Sequence, residues 1–81
     1  MNHFVYILKC ADGTLYTGYT TDVTKRVARH NAGKGAKYTR ARRPVTLGFV
    51  WECLDRSDAL RMERRIKRRS RAEKILLMEA F

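Results

Sequence analysis

No apolar run in this 81-residue chain approaches the roughly 18 residues that span a bilayer, which excludes a transmembrane helix. The start, Met1-Asn2-His3-Phe4, lacks a basic stretch leading into an apolar one, so no secretory signal is read there and a cytoplasmic location is expected. Cys10 and Cys53 lie far apart and form neither a CxxC pair nor a finger-like cluster with His3 and His30. That argues against a disulfide and against structural zinc, and both thiols are expected as small core groups. The glycines near Lys34 do not make the GxxxxGKS/T pattern of a P-loop. Internal repeats and low-complexity segments are absent too. What remains is a single domain over residues 1–81, burying only about 60% of the surface its unfolded form exposes.

Acid is also scarce. Eighteen Lys and Arg against eight Asp and Glu leave a net charge of +10. So basic a balance favours a polyanionic partner, either nucleic acid or an anionic membrane surface. The membrane reading weakens because the basic segments lack the Trp/Phe/Leu face of an interfacial helix. Nucleic acid is the expected partner.

Residues 3–10 are dense in aromatic and branched side chains and read as a strand, with Phe4, Tyr6, Leu8 and Cys10 alternating against Val5 and Ile7. Both faces are mostly apolar, which predicts a central strand. Asp12-Gly13 signals a turn, and residues 14–20 give a second strand. Loop length decides whether Tyr6 and Tyr16 share a face. A two-residue loop puts them on opposite faces. A three-residue loop, Ala11-Asp12-Gly13 with Gly13 left-handed, sets Tyr6 opposite Gly18 and Tyr16 opposite Leu8, on one face. The three-residue loop is expected.

Thr21 or Asp22 caps a first helix predicted from Val23 to Asn31 and stopped at Gly33, with Val23 and Val27 on its packing face. Arg26 and His30, four apart, share a stripe of it. Residues 33–44 form a basic connection of little periodicity. Lys34, Lys37, Arg40, Arg42 and Arg43 read there either as a loop against a nucleic-acid backbone or as a solvated linker. Val45 to Leu54 reads as a third strand, with Leu47, Phe49 and Trp51 on one side and Trp51 assigned to the core. Ser57 is the expected cap of a second helix burying Ala59, Met62 and Ile66, widened by Leu60. Its other face is Arg61, Arg64, Arg65, Arg68 and Arg69, of which Arg64 and Arg68 are assigned to nucleic acid. Glu63 sits on the border of the apolar stripe, where a salt bridge to a neighbouring arginine and a metal ligand are both open. Ser70-Arg71-Ala72-Glu73 is a capping box opening a last helix, whose Ile75-Leu76-Leu77-Met78 face should dock on the sheet.

With these residues in view, the pattern resembles the GIY-YIG nuclease superfamily, in particular its small stand-alone bacterial branch with a similar Gly-Lys-Gly-Ala-Lys segment. The first motif is Val5-Tyr6-Ile7 and the second Tyr16-Thr17-Gly18; Arg26, His30 and Glu63 fall at the family's helix arginine, His/Tyr position and metal-binding glutamate. Val5 stands in place of a glycine, Thr17 in place of an isoleucine, and the asparagine many members carry after the glutamate helix is absent. The resemblance implies an α+β fold, a small two-layer domain with a three-stranded antiparallel sheet flanked by helices in the order β-β-α-β-α-α. It also implies hydrolysis of a nucleic-acid phosphodiester with one Mg²⁺ or Mn²⁺ ion. Glu63 would hold that ion, Arg26 would bind the phosphate, and Tyr6, Tyr16 and His30 would orient and deprotonate water, Tyr6 as base. The competing class is a binding module that kept fold and charge without cleaving, or one that a protein partner activates. DNA is favoured over RNA, with structured or branched forms open as substrates and with weak sequence specificity, since backbone contacts carry no base information. A monomer is expected.

Overall fold

The computed structural model describes residues 2–80. In chain order it contains β1 (His3–Lys9), β2 (Leu15–Thr20), α1 (Val23–Asn31), α2 (Lys37–Arg40), β3 (Thr46–Cys53), α3 (Arg56–Lys67) and α4 (Arg71–Ala80). The strands form one antiparallel sheet in the order β2-β1-β3, so β1 is central, as its two apolar faces require. The fold is the expected α+β arrangement of helices about a three-stranded antiparallel sheet. One element is additional: the short helix α2 stands inside the connection expected to lack periodic structure.

Each face of β1 carries its own apolar cluster. Val5 and Ile7 pack with Phe49, Cys53, Ala59 and Ile66, joined by Met62 of α3 and by Leu77 and Met78 of α4. Tyr6, Leu8 and Cys10 pack with Val45, joined by Tyr16 and by Val27 of α1. Both cysteines are buried and unpaired.

The β1–β2 connection has three residues. Cys10 N donates to Thr14 O at 2.9 Å, Gly13 holds φ +85°, and the Asp12 carboxylate accepts from Thr14 N at 3.1 Å. The register follows, pairing Tyr6 with Gly18 and Leu8 with Tyr16. A one-residue slip would send the whole strand's side chains to the other face. Asp22 caps α1 by accepting from Lys25 N at 3.0 Å. The helix closes in a Schellman turn, Lys34 N donating to Arg29 O at 3.0 Å with Gly33 left-handed.

Four expectations fail downstream. The pairing passes from Ile7–Phe49 to Leu8–Leu47, so Gly48 is an extra bulged residue, and Leu47 and Phe49 fall on opposite faces instead of sharing one. A Cβ at residue 48 would lie 2.5 Å from the Met78 methyl of α4, so a larger residue here requires the flexible Met78 side chain to move aside. Trp51 stays on the face of Phe49 but is 52% exposed, not core, because β3 is the outer strand. The α3 cap is Asp55, accepting from Asp58 N at 2.7 Å, while Ser57 lies inside the helix and accepts from Arg61 at 3.1 Å. Leu60 and Leu76 are exposed, so the buried stripes of α3 and α4 are narrower than predicted. The capping box forms as expected, Glu73 N donating to Ser70 Oγ at 3.2 Å and Ser70 N to Glu73 Oε1 at 3.1 Å.

Candidate functional site

The site is built around the Tyr6 hydroxyl. From the central strand the Tyr6 ring crosses β2 directly over Gly18, where an added Cβ would lie 2.6 Å from the ring carbon Cζ. Only glycine fits beneath it, which is the steric reason for the Tyr16-Thr17-Gly18 pattern. The Tyr6 hydroxyl is 3.0 Å from Nε2 of His30, and His30 Nδ1 is 2.7 Å from the Thr39 hydroxyl. Tyr6, His30 and Thr39 are all fully buried. Thr39 donates its one proton to Ala36 O at 3.0 Å, so toward His30 it can only accept. His30 Nδ1 therefore carries the proton, Nε2 is bare in the neutral ring, and Tyr6 donates to it. Burial first, then the Arg26 charge, holds His30 below its usual value, which keeps this ring neutral at pH 7.

The Tyr6 phenol is pushed up to about 12, by burial first and by Tyr16 next, with Glu63 adding to the rise and Arg26 opposing it through its charge and a hydrogen bond. The expectation that Arg26 would favour the phenolate names a real pull that burial outweighs. The same influences show that Tyr16, Arg26 and Glu63 lie within electrostatic reach of one hydroxyl. Arg26 also reaches back to Tyr19 O at 3.5 Å. Tyr16 sits edge-on to His30, with ring centroids 5.3 Å apart, and 6.5 Å from Tyr6. All five residues singled out from the sequence are thus gathered around Tyr6: Tyr6, Tyr16, Arg26, His30 and Glu63.

Glu63 is mostly buried, and its carboxylate pairs with Lys67 at 3.2 Å, one turn along α3, rather than with an arginine. Among the described residues no three His, Cys, Asp or Glu side chains gather into a preformed metal cage. One carboxylate is nonetheless a donor set that Mg²⁺ can use, since that ion keeps several waters and takes the rest of its shell from a bound phosphate. The residues present therefore fit a hard, water-rich ion, provided that Lys67 yields.

The basic connection does something sequence reasoning missed. Through Thr39, the α2 segment holds the His30 tautomer. Gly35 packs flat against the imidazole, where an added Cβ would lie 2.8 Å from Cγ. Tyr38 stacks on Tyr16 at 5.9 Å, and Arg42 lies 4.0 Å over the Tyr38 ring while pairing with Asp12 at 3.0 Å. Arg43 donates to Arg40 O at 2.8 Å and to Asn31 O at 3.3 Å. The Asn31 side chain bridges both backbone groups of Val45, at 2.7 and 3.0 Å, and is a structural clamp. Of the residues assigned to nucleic acid, Lys34 is exposed, Lys37 and Arg40 are exposed on α2, and Arg64 and Arg68 are exposed on α3 and at its C-cap. The spacing of Gly33 and Gly35 was the only available signal that this segment folds back on His30.

Geometry of this kind defines a class, and the comparisons agree. The chain belongs to the family described as the GIY-YIG catalytic domain, which matches residues 2–75, and so to a nuclease superfamily. Within it the chain is similar to the small UPF0213 proteins. One from Halobacterium salinarum is 61% identical over 72 residues, covering 89% of this chain and 94% of that protein. One from Staphylococcus haemolyticus is 54% identical over 77 residues, covering 95% and 94%. Two solution NMR structures share the fold. A UPF0213 protein from Bacillus halodurans has a TM-score of 0.63 at 50% identity, over 99% of this chain and 85% of that one. A protein from E. faecalis has a TM-score of 0.67 at 40% identity, over 100% and 86%. No helix among the described residues is long and apolar enough to cross a membrane.

Proposed function

We propose that this protein is a metal-dependent nuclease that hydrolyses phosphodiester bonds in DNA with little sequence preference. The observation that carries the reading is the convergence of Tyr16, Arg26, His30 and Glu63 on the buried Tyr6 hydroxyl. Glu63 would hold one Mg²⁺ or Mn²⁺ ion, which when bound supplies a Lewis acid for the phosphate oxygens. Arg26 offers forked donors to the scissile phosphate and stabilises the charge that builds there.

The proton path follows from the tautomer. A phenol held near 12 is not ionised in advance, so Tyr6 acts by exchange. Its oxygen takes a proton from the attacking water as its own proton passes to bare Nε2 of His30. The new hydroxide forms the P–O bond, the leaving oxygen departs with the electrons of the broken one, and solvent protonates it. Thr39 accepts from Nδ1 throughout and keeps the ring in line. Tyr16, stacked on Tyr38, orients the water from the other side.

A second reading, a binding module that does not cleave, is favoured by the Glu63–Lys67 pair, which occupies the only carboxylate of the site. Cleavage separates the two. Branched, single-stranded and duplex DNA, with RNA alongside, are incubated with Mg²⁺ or Mn²⁺ using wild type, Glu63→Ala and Tyr6→Phe. The nuclease reading expects Glu63→Ala to lose about 10²-fold or more. Equal traces from wild type and Glu63→Ala would assign any activity to contamination. Cleavage that appears only with a cell fraction would mark a partner-activated subunit.

A further inference from the structure

Trp51 belongs to neither face of the proposed chemistry. It is half exposed on the outer strand, and it borders a cleft of about 660 Å³ between β3, α3 and α4. Phe49, Met62, Ile66 and Leu77 line the apolar part of that cleft, and Arg65 and Arg69 its polar part. The helix geometry explains the split. At 3.6 residues per turn, Glu63 leaves the buried Ala59–Met62–Ile66 stripe on one flank and Arg65 leaves it on the other. The helix thus presents a carboxylate on one side and a guanidinium on the other, and Arg69, just past the helix end, joins Arg65 at the cleft. Arg68 adjoins Arg65 and Arg69 on the surface; among the described residues neither Arg65 nor Arg68 has an acidic partner, whereas Arg69 pairs with Glu73 at 3.2 Å and must exchange that carboxylate for a phosphate.

We propose that this cleft binds one unpaired nucleotide of a single-stranded nucleic acid, its base stacked on Trp51 and its flanking phosphates held by Arg65 and Arg69. An indole offers any base a π-face, and guanidinium groups beside it match the phosphates that accompany the base. Charge argues against a second copy of this chain as the occupant. An isologous contact would bring Arg65 and Arg69 of two molecules, each carrying +10, against one another. Duplex DNA cannot offer a base face without unstacking. The inference rests on the nucleic-acid reading for the kind of ligand and gives it a substrate class: strands with unpaired bases, as in single-stranded, flapped or branched forms.

Trp51 is the only tryptophan, so its fluorescence reports the cleft directly. With chelator present to block cleavage, full-length protein is titrated with a short oligo(dT), with a strand of equal length made entirely of abasic sites, and with a duplex. Saturable quenching by oligo(dT) but not by the abasic strand is expected, with the duplex far weaker. By anisotropy of a labelled oligo(dT), Trp51→Leu should weaken binding roughly 5- to 150-fold, the weight of one base–aromatic stack, and Trp51→Phe should keep most of it. Arg65→Gln with Arg69→Gln should make the log–log salt slope shallower by about 1.4. Equal affinity for oligo(dT) and the abasic strand overturns the proposal. So does a fluorescence change that follows protein concentration, which marks a contact between copies. Absent quenching beside Glu63-dependent cleavage sinks this inference and leaves the nuclease standing; quenching without cleavage does the reverse.

Discussion

Two basic stretches, residues 33–43 with five Lys and Arg and residues 61–69 with six, have taken different roles. In the first, Arg42 and Arg43 use their charge internally, while Lys34, Lys37 and Arg40 are exposed. Arg42 lies between the Tyr38 ring and the Asp12 carboxylate, Arg43 donates to the carbonyls of Arg40 and Asn31, and Thr39 is completely buried against His30. In the second, Arg64, Arg65 and Arg68 are exposed and, among the described residues, have no acidic partner. The first stretch braces the site through Thr39, Arg42 and Arg43; in the second Arg61, Lys67 and Arg69 pair with Asp58, Glu63 and Glu73, and Arg64, Arg65 and Arg68 remain available to a polyanion. Counting cations cannot separate them, because what decides is how many carbonyls, rings and carboxylates lie within reach of each guanidinium.

The comparison breaks most clearly at Thr39. Replacing it by valine keeps the shape but strands Nδ1 of His30, and kcat/KM for cleavage should fall by about 10²-fold or more, within the range acid–base groups supply. Thr39→Ser should restore most of it. If Thr39→Val cleaves normally and only binds DNA more weakly, the first stretch is a phosphate loop after all. Next, Gly35→Ala forces a methyl into the imidazole and should cost about 1–3 kcal/mol in chemical denaturation. Binding titrations in salt sharpen the contrast further. Arg64→Gln with Arg68→Gln should reduce the duplex salt slope by about 2 at unchanged Tm, whereas Arg43→Ala should lower Tm and leave the slope nearly alone.

Acid and base probe the same network. His30 titrates below its usual value in the folded protein, so the unfolded chain binds the proton more readily. The stability it contributes is present above about 6.5 and is lost as pH falls through that point toward the lower folded value. Tyr6 mirrors it: unfolded tyrosine ionises near 10 and the folded one at about 12, so stability declines as pH climbs from 10. Urea melts across pH should show both shoulders, and His30→Gln should remove the acid one. The smallest effect lies on the opposite face of β2, where the buried Thr17 hydroxyl finds no partner among the described residues. Thr17→Val should stabilise the protein by about 1 kcal/mol and leave cleavage unchanged.

Local chemistry made much of this legible in advance. The Ala11-Asp12-Gly13 loop sets the register that brings Tyr6 and Tyr16 together, and it does so within ten residues of chain. Asp22 and the Ser70–Glu73 box mark helix starts through side chains that bond to backbone three residues away, and Gly33 marks a helix end through its left-handed backbone. The mistaken assignments share the opposite property. Trp51 looked like core because a strand tryptophan is more often buried than left as a base-stacking platform, but exposure depends on which strand ends up outermost. Ser57 looked like a cap, yet Asp55 two residues earlier had the stronger claim once the strand ended at Cys53.

The sequence by itself determined the strands, the central place of β1, the spacing of the five polar residues and the charge. These rest on side-chain periodicity and on hydrogen bonds that close over a few residues. Only the tertiary structure decided that Thr39 fixes the His30 tautomer, that the Tyr6 phenol remains protonated, that Gly48 bulges against Met78, and that Trp51 faces solvent beside Arg65 and Arg69. Each of these depends on contacts between groups far apart in the chain, where burial and the number of available partners outweigh any preference the residues carry alone.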